Sequence, residues 1–265
     1  MTTSNSALLA ALALLGALPA GAQSIRYAPG EYKYAVNTIS KQAQTMADQT
    51  QASTLTLDQR ISLLLIARGA DSLRFRTVLD DYTLSADLPI QLPDVVHLKG
   101  TTIEGVMTVA GRVTHFTRRS PGASSAEVQT LADNMSRFLI ALSPSVVNGK
   151  AWTDTTAIRD TNDGADLVER TITTTLVDGD TVVGGVRAWR VRRQLVVTRR
   201  GTTMQAGQPL QTDGTQSGSG TFCVSVNGVY LGATTTSRGS NSITLPDGRT
   251  VTIAQSVSST IALLK

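Results

Sequence analysis

The chain has 265 residues, of which 41% are hydrophobic and 17% charged, and its formal net charge is +4. This composition supplies enough apolar material for a packed core and excludes a largely disordered chain. Aromatic residues make up 4% of the chain, which disfavours a protein that binds nucleic acid by stacking on bases. A single cysteine, Cys223, excludes an intrachain disulfide.

The amino-terminal segment has the features of an export signal. Residues 1–22 carry no charged side chain, the run Ala7–Leu18 is apolar, and Ala20-Gly21-Ala22 follows it. This pattern predicts cleavage after Ala22, although such signals usually begin with a Lys or Arg. The apolar run is too short for a transmembrane helix, which needs about 20 residues. We therefore expect a signal peptide over 1–22 and a periplasmic or secreted mature chain that does not span a membrane.

Alternation of apolar and polar residues predicts strands in the first half of the mature chain. The first strand is predicted near Glu31–Gln44. A hairpin follows, with strands Leu55–Ala67 and Leu73–Ser85. After a link that contains Pro89 and Pro93, a second hairpin is predicted around Ala110-Gly111.

The second half is also predicted to be extended. Three segments lie between residues 150 and 201, with a turn at Asp178-Gly179-Asp180. The polar stretch 202–219 is expected to be a flexible loop. Asn227-Gly228 and Asp247-Gly248 predict two further hairpins, because both dipeptides suit tight turns. We expect about ten strands in one domain, 23–265.

One segment, Ser124–Pro144, is predicted to be an amphipathic helix. Ser124 and Glu127 form a capping box, and Pro144 ends the segment. At 100° per residue one face carries Val128, Leu131, Met135, Phe138, Leu139 and Leu142. The predicted fold is mainly β (α+β): a curved antiparallel sheet or half-barrel with this one helix packed on it.

The apolar face of the predicted helix allows two interpretations. It can fill the core of the sheet, as helices of α+β domains do. Alternatively it can cover an apolar cavity, in which case the candidate ligand contacts are Val128, Leu131, Met135, Phe138 and Leu142. The sequence leaves both interpretations open.

The segment 187–200 contains six arginines. A strand would place Arg190, Arg192 and Arg200 on one face, where they are candidate contacts for an anion, and would place Arg193 on the other face with Val191 and Leu195. The alternative is that the arginines pair with carboxylates of neighbouring strands, such as Asp166, Glu169 or Asp180.

Patterns typical of catalysis or metal binding are not found in the sequence. Asp160–Asp166 resembles a calcium loop, but Gly164 comes one position early and Glu169 is tenth rather than twelfth, so a polar turn is favoured. None of the motifs G-x-S-x-G, S-x-x-K or H-E-x-x-H occurs. We expect no enzyme and no cofactor, and keep a carboxylate-dependent hydrolase as a third hypothesis. Asp80 and Asp81 are an adjacent pair of acids, but in a regular strand they point to opposite faces and cannot face one substrate.

A short motif follows the predicted helix: a Pro, then Val-x-Gly-x-x-Trp-Thr and a later Gly, at Pro144, Val147, Gly149, Trp152, Thr153 and Gly184. In this motif the region 31–200 resembles an uncharacterised family of exported bacterial β-rich proteins. Lys150 departs from the family, which commonly has an acidic residue there. The order of hairpins around one helix also resembles the half-barrel of bacterial lipoprotein carriers. That resemblance implies a concave sheet that shelters an acyl chain or a similar apolar ligand.

These observations predict an exported, non-catalytic envelope protein. The leading hypothesis is binding or carriage of a lipid-like apolar ligand in a cavity under the helix. The alternative is a structural or interaction module with a filled core, whose partner would be another envelope protein or an anionic surface. Nucleic acid is not an expected partner.

Overall fold

The computed structural model describes residues 25–47, 49–87, 98–119, 138–142, 149–161, 165–205 and 208–264. Within these ranges the regular structure is almost wholly strand. The eleven strands are β1 (Gly30–Met46), β2 (Gln49–Ala67), β3 (Ser72–Ala86), β4 (Thr102–Thr108), β5 (Val113–Arg119), β6 (Ala151–Asp160), β7 (Asp166–Val183), β8 (Val186–Gln205), β9 (Gln208–Ser225), β10 (Tyr230–Thr244) and β11 (Thr250–Leu263).

All eleven strands belong to one antiparallel sheet, in the order β5-β4-β3-β2-β1-β11-β10-β9-β8-β7-β6. The chain therefore forms two meanders, β1 to β5 and β6 to β11, which are joined where β1 pairs with β11. This pairing runs from Tyr34 opposite Leu263 to Met46 opposite Val251. The prediction of a mainly β protein with an antiparallel sheet is confirmed.

The sheet is curled at one end, as two hydrogen bonds of the amino-terminal segment show. The Tyr27 N–H donates to Val109 O in the β4–β5 turn, and the Ala28 N–H donates to Gly228 O in the β9–β10 turn. In a flat sheet these turns would be about 29 Å apart, since β4 and β9 are separated by six strand spacings of about 4.8 Å. Consecutive residues are only about 3.8 Å apart, so the sheet must bend to bring the two turns together.

The hydrophobic core lies at the curled end, which we call the packed end. Side chains there alternate in burial, as on β3, where Leu73, Phe75 and Thr77 are buried and the residues between them are not. The strands are long, and their opposite halves carry few buried residues: none of the described residues from Asn37 to Met46 of β1 is buried. We call that half of the sheet the far end.

The predicted helix is not confirmed. Residues 124–137, 143 and 144 lie outside the described residues, and the described part, Phe138–Leu142, is not helical. Its backbone is instead bonded to other segments, because the Leu142 N–H donates to Ala110 O and Ile140 O accepts from the Tyr27 hydroxyl. The apolar character of the segment indicated burial correctly: Phe138, Leu139, Ile140 and Leu142 are all buried.

Two predicted connections are corrected. Asp178-Gly179-Asp180 is not a turn, because β7 continues to Val183 and the register with β8 shifts between Val177 and Asp180, as at a β-bulge. The chain reverses instead at Gly184-Gly185, where both φ angles are positive.

The stretch 202–219 is strand rather than flexible loop over its described residues, which belong to β8 and β9. Its polarity suggested a loop. At the far end, however, a strand needs no apolar face, because few side chains are buried there. Glycine suits position 218 in β9, because a larger residue would crowd the neighbouring strands. A Cβ at Gly218 would lie 3.1 Å from Ser237 Cβ and 3.3 Å from Leu195 Cγ.

Across the part of the chain that the structure describes, no helix is both long enough and apolar enough to cross a membrane.

Phe138 offers a test of the core. Its ring lies 4.9 Å from that of Tyr34 and 5.6 Å from that of Tyr230, with edge-to-face geometry in both pairs. Phe138→Ala is expected to lower the free energy of unfolding by about 3–5 kcal/mol, measured by urea denaturation. The control is Ile158→Ala on β6, where the side chain is 58% exposed, with an expected loss below about 1 kcal/mol. Equal losses for the two variants would contradict this placement of Phe138.

Candidate functional site

The candidate site is a cavity of about 870 Å³ at the packed end of the sheet. One wall comes from the first meander and the segments packed on it, and the facing wall comes from β6, β7 and β8 of the second meander. In a flat sheet β4 and β7 would be about 38 Å apart, which is eight strand spacings of about 4.8 Å. The cavity is therefore a product of the curl.

The wall on the side of the first meander combines apolar and charged side chains. Its apolar residues are Ile25 from the amino-terminal segment, Val109 and Ala110 from the β4–β5 turn, and Ala141 and Leu142. Arg26, Asp71, Thr108 and Arg112 line the same side. These pieces are held together by backbone hydrogen bonds from Tyr27 to Val109 and from Leu142 to Ala110. Three segments that are distant in the sequence thus form one wall.

The facing wall is amphipathic. Trp152, Thr175 and Arg193 lie side by side on neighbouring strands, because Trp152 pairs with Thr175 and Thr175 pairs with Arg193. Asp154 pairs with Thr173 two residues further along and also lines the cavity. Thr175 is 2% exposed, Arg193 is partly buried and Asp154 is exposed, so the hydroxyl of Thr175 is the most deeply buried of these three polar groups.

Gly149 explains how β6 reaches this position. Its φ of +79° is a conformation that glycine adopts far more readily than other residues. Its N–H donates to Val177 O within β7, which fixes the start of β6 against that strand. Three residues later Trp152 faces the cavity. The Gly-x-x-Trp spacing noted in the sequence therefore positions Trp152 in the cavity wall.

Three buried tyrosines lie in the core: Tyr34 and Tyr230 pack against Phe138, and Tyr27 is bonded to Ile140. The Tyr27 hydroxyl donates to Ile140 O at 3.0 Å, and the Tyr34 hydroxyl donates to Tyr230 O at 3.0 Å. Burial raises the pKa of Tyr27, Tyr34 and Tyr230 far above that of an exposed tyrosine, so all three are neutral at ordinary pH. This cluster is a packed support for the cavity wall.

The structure separates the five predicted ligand contacts. Val128, Leu131 and Met135 lie outside the described residues. Phe138 is 7% exposed and packs among the tyrosines, and Leu142 lines the cavity. The sequence analysis missed Trp152, Thr175 and Arg193. Strand alternation did place Arg193 on the same face as Val191 and Leu195, and Val191 is wholly buried, so the signal for an inward-facing arginine was present.

The candidate anion contacts lie on the outer face of the sheet, in ion pairs. Arg190 Nε is 2.9 Å from Asp178 Oδ2, and Arg192 Nη2 is 2.6 Å from Asp178 Oδ1. Arg200 Nε is 2.8 Å from Asp213 Oδ2. Pairing with carboxylates was the alternative considered from the sequence, although Asp178 and Asp213 were not the partners named.

The remaining polar candidates are dispersed. Asp80 accepts a hydrogen bond from the Ser62 hydroxyl, while Asp81 lies 3.9 Å from Lys99. Asp166, at the end of the calcium-like stretch, pairs with Arg159 at 2.7 Å. Among the described residues no three side chains of His, Cys, Asp or Glu form a group that could hold a metal ion.

Comparisons with known proteins give little further guidance. No family model and no curated protein matches the sequence. A DUF1329 family protein from Desulfovibrio piger is 11% identical, with 85% of this chain and 84% of that chain covered and a TM-score of 0.19. OpdL of Pseudomonas aeruginosa is 9% identical, with 89% and 99% covered and a TM-score of 0.23. At these TM-scores the likeness does not establish a shared fold or a shared function.

The double ion pair of Asp178 predicts a measurable titration. Arg192 first, and then Arg190, lowers the pKa of Asp178 below its usual value near 3.8. Because the folded pKa is lower than the unfolded one, the pairing stabilises the fold above about pH 4, and this contribution is lost as the pH falls through the folded pKa. We expect Arg192→Gln to raise the pKa of Asp178 more than Arg190→Gln, as followed by NMR of the side-chain carboxyl. The reverse order would refute this ranking.

Proposed function

We propose that the protein is an exported, non-catalytic binding protein of the cell envelope that holds a lipid-like ligand in the cavity at the packed end. The observation that carries the proposal is the cavity itself, about 870 Å³ in volume, in which both walls combine apolar side chains with a few polar ones. Pockets for small ligands have volumes of about 300–1,000 Å³ and combine mostly apolar lining with a few polar groups.

The location in the envelope is supported by the amino-terminal sequence. The uncharged residues 1–22, with an apolar run and the small residues Ala20-Gly21-Ala22, have the layout of a cleaved export signal. An exported chain that binds an apolar molecule can shield it from water while it crosses the aqueous space of the envelope. The mechanism would be burial of the ligand, driven by removal of apolar surface from water, and later transfer.

A second function is favoured by one observation. Phe138, which the sequence offered as a ligand contact, is part of the core between Tyr34 and Tyr230. If the chain fills the rest of the cavity in the same way, the protein is a structural or interaction module and binds its partner on an outer surface.

The two tryptophans allow the proposals to be separated. Trp152 lines the cavity, whereas Trp189 packs against the core and is absent from the cavity wall. Titration with a medium-chain or long-chain fatty acid is expected to change the tryptophan fluorescence of the wild type and of Trp189→Phe, but not of Trp152→Phe. Native mass spectrometry of protein purified without detergent should then show the same ligand bound at one copy per chain.

The carrier would be rejected by a wild-type chain that purifies without any apolar species, shows no fluorescence response and binds no acyl probe. A response that persists in Trp152→Phe and disappears in Trp189→Phe would place the ligand elsewhere. Either result would favour the interaction module.

A further inference from the structure

We propose that a groove on the outer face of the sheet binds an acidic glycan, with Lys41 and Arg238 as the contacts for its carboxylates. The groove lies at the far end, has a volume of about 560 Å³ and crosses β8, β9, β10, β11 and β1. It is separate from the cavity at the packed end, so this inference goes beyond the proposed function. The recognised chemistry is a chain of hydroxyl-rich sugars that carries carboxylate groups.

The alternation of β8 shows that the groove lies on the outer face. Arg192 points outward to its ion pair with Asp178, and Gln194 and Val196 of the groove follow it at intervals of two residues. From Val196 the register defines a row of outward side chains that crosses five strands. This row is Val196, Ser217, Arg238, Ser256 and Lys41.

The two cations of this row flank a serine. Ser256 pairs with Lys41 on β1 and with Arg238 on β10. The Cα atoms of the cations are therefore two strand spacings apart, about 9.6 Å. Both side chains are exposed, and neither forms an ion pair with a described residue. An anionic group above Ser256 can thus contact both cations and accept a hydrogen bond from the hydroxyl between them.

The register explains why these cations have no carboxylate partner among the described residues. Apart from Ser256, the positions next to them along and across the strands are all uncharged: Ile39, Ala43, Thr54, Ser217, Thr236 and Ser240. By contrast, Arg200 on the same face of β8 has Asp213 opposite it on β9 and pairs with it at 2.8 Å. The groove therefore leaves two cations available to an external anion.

The serines of the groove suit a sugar chain. The hydroxyls of Ser217, Ser256 and Ser258 form no hydrogen bond with the described residues. On the inner face of the same sheet such hydroxyls bond to each other, as Thr38 Oγ1 does to Ser259 Oγ at 3.0 Å. A free hydroxyl can both donate and accept, which matches the hydroxyl groups of a sugar. Across its five strands the groove is about 19 Å wide, which is four spacings of about 4.8 Å, so it has room for an extended chain.

A membrane surface fits the groove less well. Recognition of anionic lipids usually uses a cluster of about four to eight basic residues, whereas the described lining contains two. Membrane binding also requires an apolar surface that enters the bilayer. The apolar side chains that point to this face, Ile39 and Val196, lie on the two outermost strands of the groove, β1 and β8. An acidic glycan carries charges and hydroxyl groups together and needs no apolar surface.

The experiment is a titration of a fluorescently labelled galacturonic acid oligomer with the full chain, followed by fluorescence anisotropy. The matched neutral probe is the methyl ester of the same oligomer, which loses the charges and keeps the hydroxyl groups of the sugars. We expect the wild type to bind the acidic oligomer about tenfold more tightly than the ester, because charged hydrogen bonds are stronger. This preference should decrease as the salt concentration rises, since salt screens exposed charges.

Two double variants separate the groove from the net charge of the protein. Lys41→Gln/Arg238→Gln removes both cations of the groove. Lys33→Gln/Arg74→Gln removes two exposed cations from the outer faces of β1 and β3, outside the groove. We expect the first variant to lose about tenfold in affinity for the acidic oligomer and the second to lose less than about twofold.

A substitution of Ser256 tests the groove while both cations are kept. In Ser256→Asp a carboxylate lies one strand spacing from Lys41 and from Arg238 and can pair with them. We expect this variant to bind the acidic oligomer as weakly as Lys41→Gln/Arg238→Gln. Ser256→Asn, which has a side chain of similar size without the charge, should bind it as the wild type does.

Each outcome decides the inference. A preference for the acidic oligomer that requires Lys41 and Arg238 and is blocked by Ser256→Asp supports it. Equal losses in the two double variants would overturn it, because the protein would then respond only to net charge. Binding to phosphatidylglycerol vesicles but not to the oligomer would replace the glycan with a membrane surface, and a wild type that binds neither would reject the site. The fatty-acid titration reports on the cavity, so failure of the groove leaves the carrier intact.

Discussion

The pairing of β1 with β11 is the constraint on which the rest of the structure depends. It joins strands from the two ends of the described chain, so that two meanders become one continuous sheet. It also sets β5 and β6 at the two outer edges, although they are consecutive strands in the sequence. Because Tyr34 pairs with Leu263 and its hydroxyl bonds Tyr230 O, the same junction anchors the centre of the core. Loss of this pairing would leave two separate sheets and no cavity between them.

The curl of the sheet brings the two meanders together and forms the cavity between them. Tyr27 and Ala28 bond turns of opposite meanders, and Tyr27 also fixes Ile140 through its hydroxyl. A cavity wall is thereby built from the amino-terminal segment, the β4–β5 turn and the segment 138–142, facing β6 to β8. At the far end the strands continue with few buried side chains, and Arg200 of β8 pairs there with Asp213 of β9. Packing and the ligand cavity are thus concentrated in one half of the molecule.

Local patterns predicted most of the strands but not how they meet. The dipeptides Asn227-Gly228 and Asp247-Gly248 mark real hairpins, because tight turns depend on a few adjacent residues. The pairing of Tyr34 with Leu263 has no local signature. The bulge at Asp178 was read as a turn for the same reason, since its pairing with β8 is not visible locally. Arg193 could be placed on an inward face, yet Trp152 and Thr175 beside it become apparent only once the register is known.

The most direct test of the central claim, that the curl creates one ligand cavity between the two meanders, is a crystal structure of the protein with an oleoyl ligand bound. The account predicts electron density for the chain between Trp152 on one wall and Val109 and Leu142 on the other. Electron density that shows this space filled by the protein's own side chains, with the ligand elsewhere, would contradict the account.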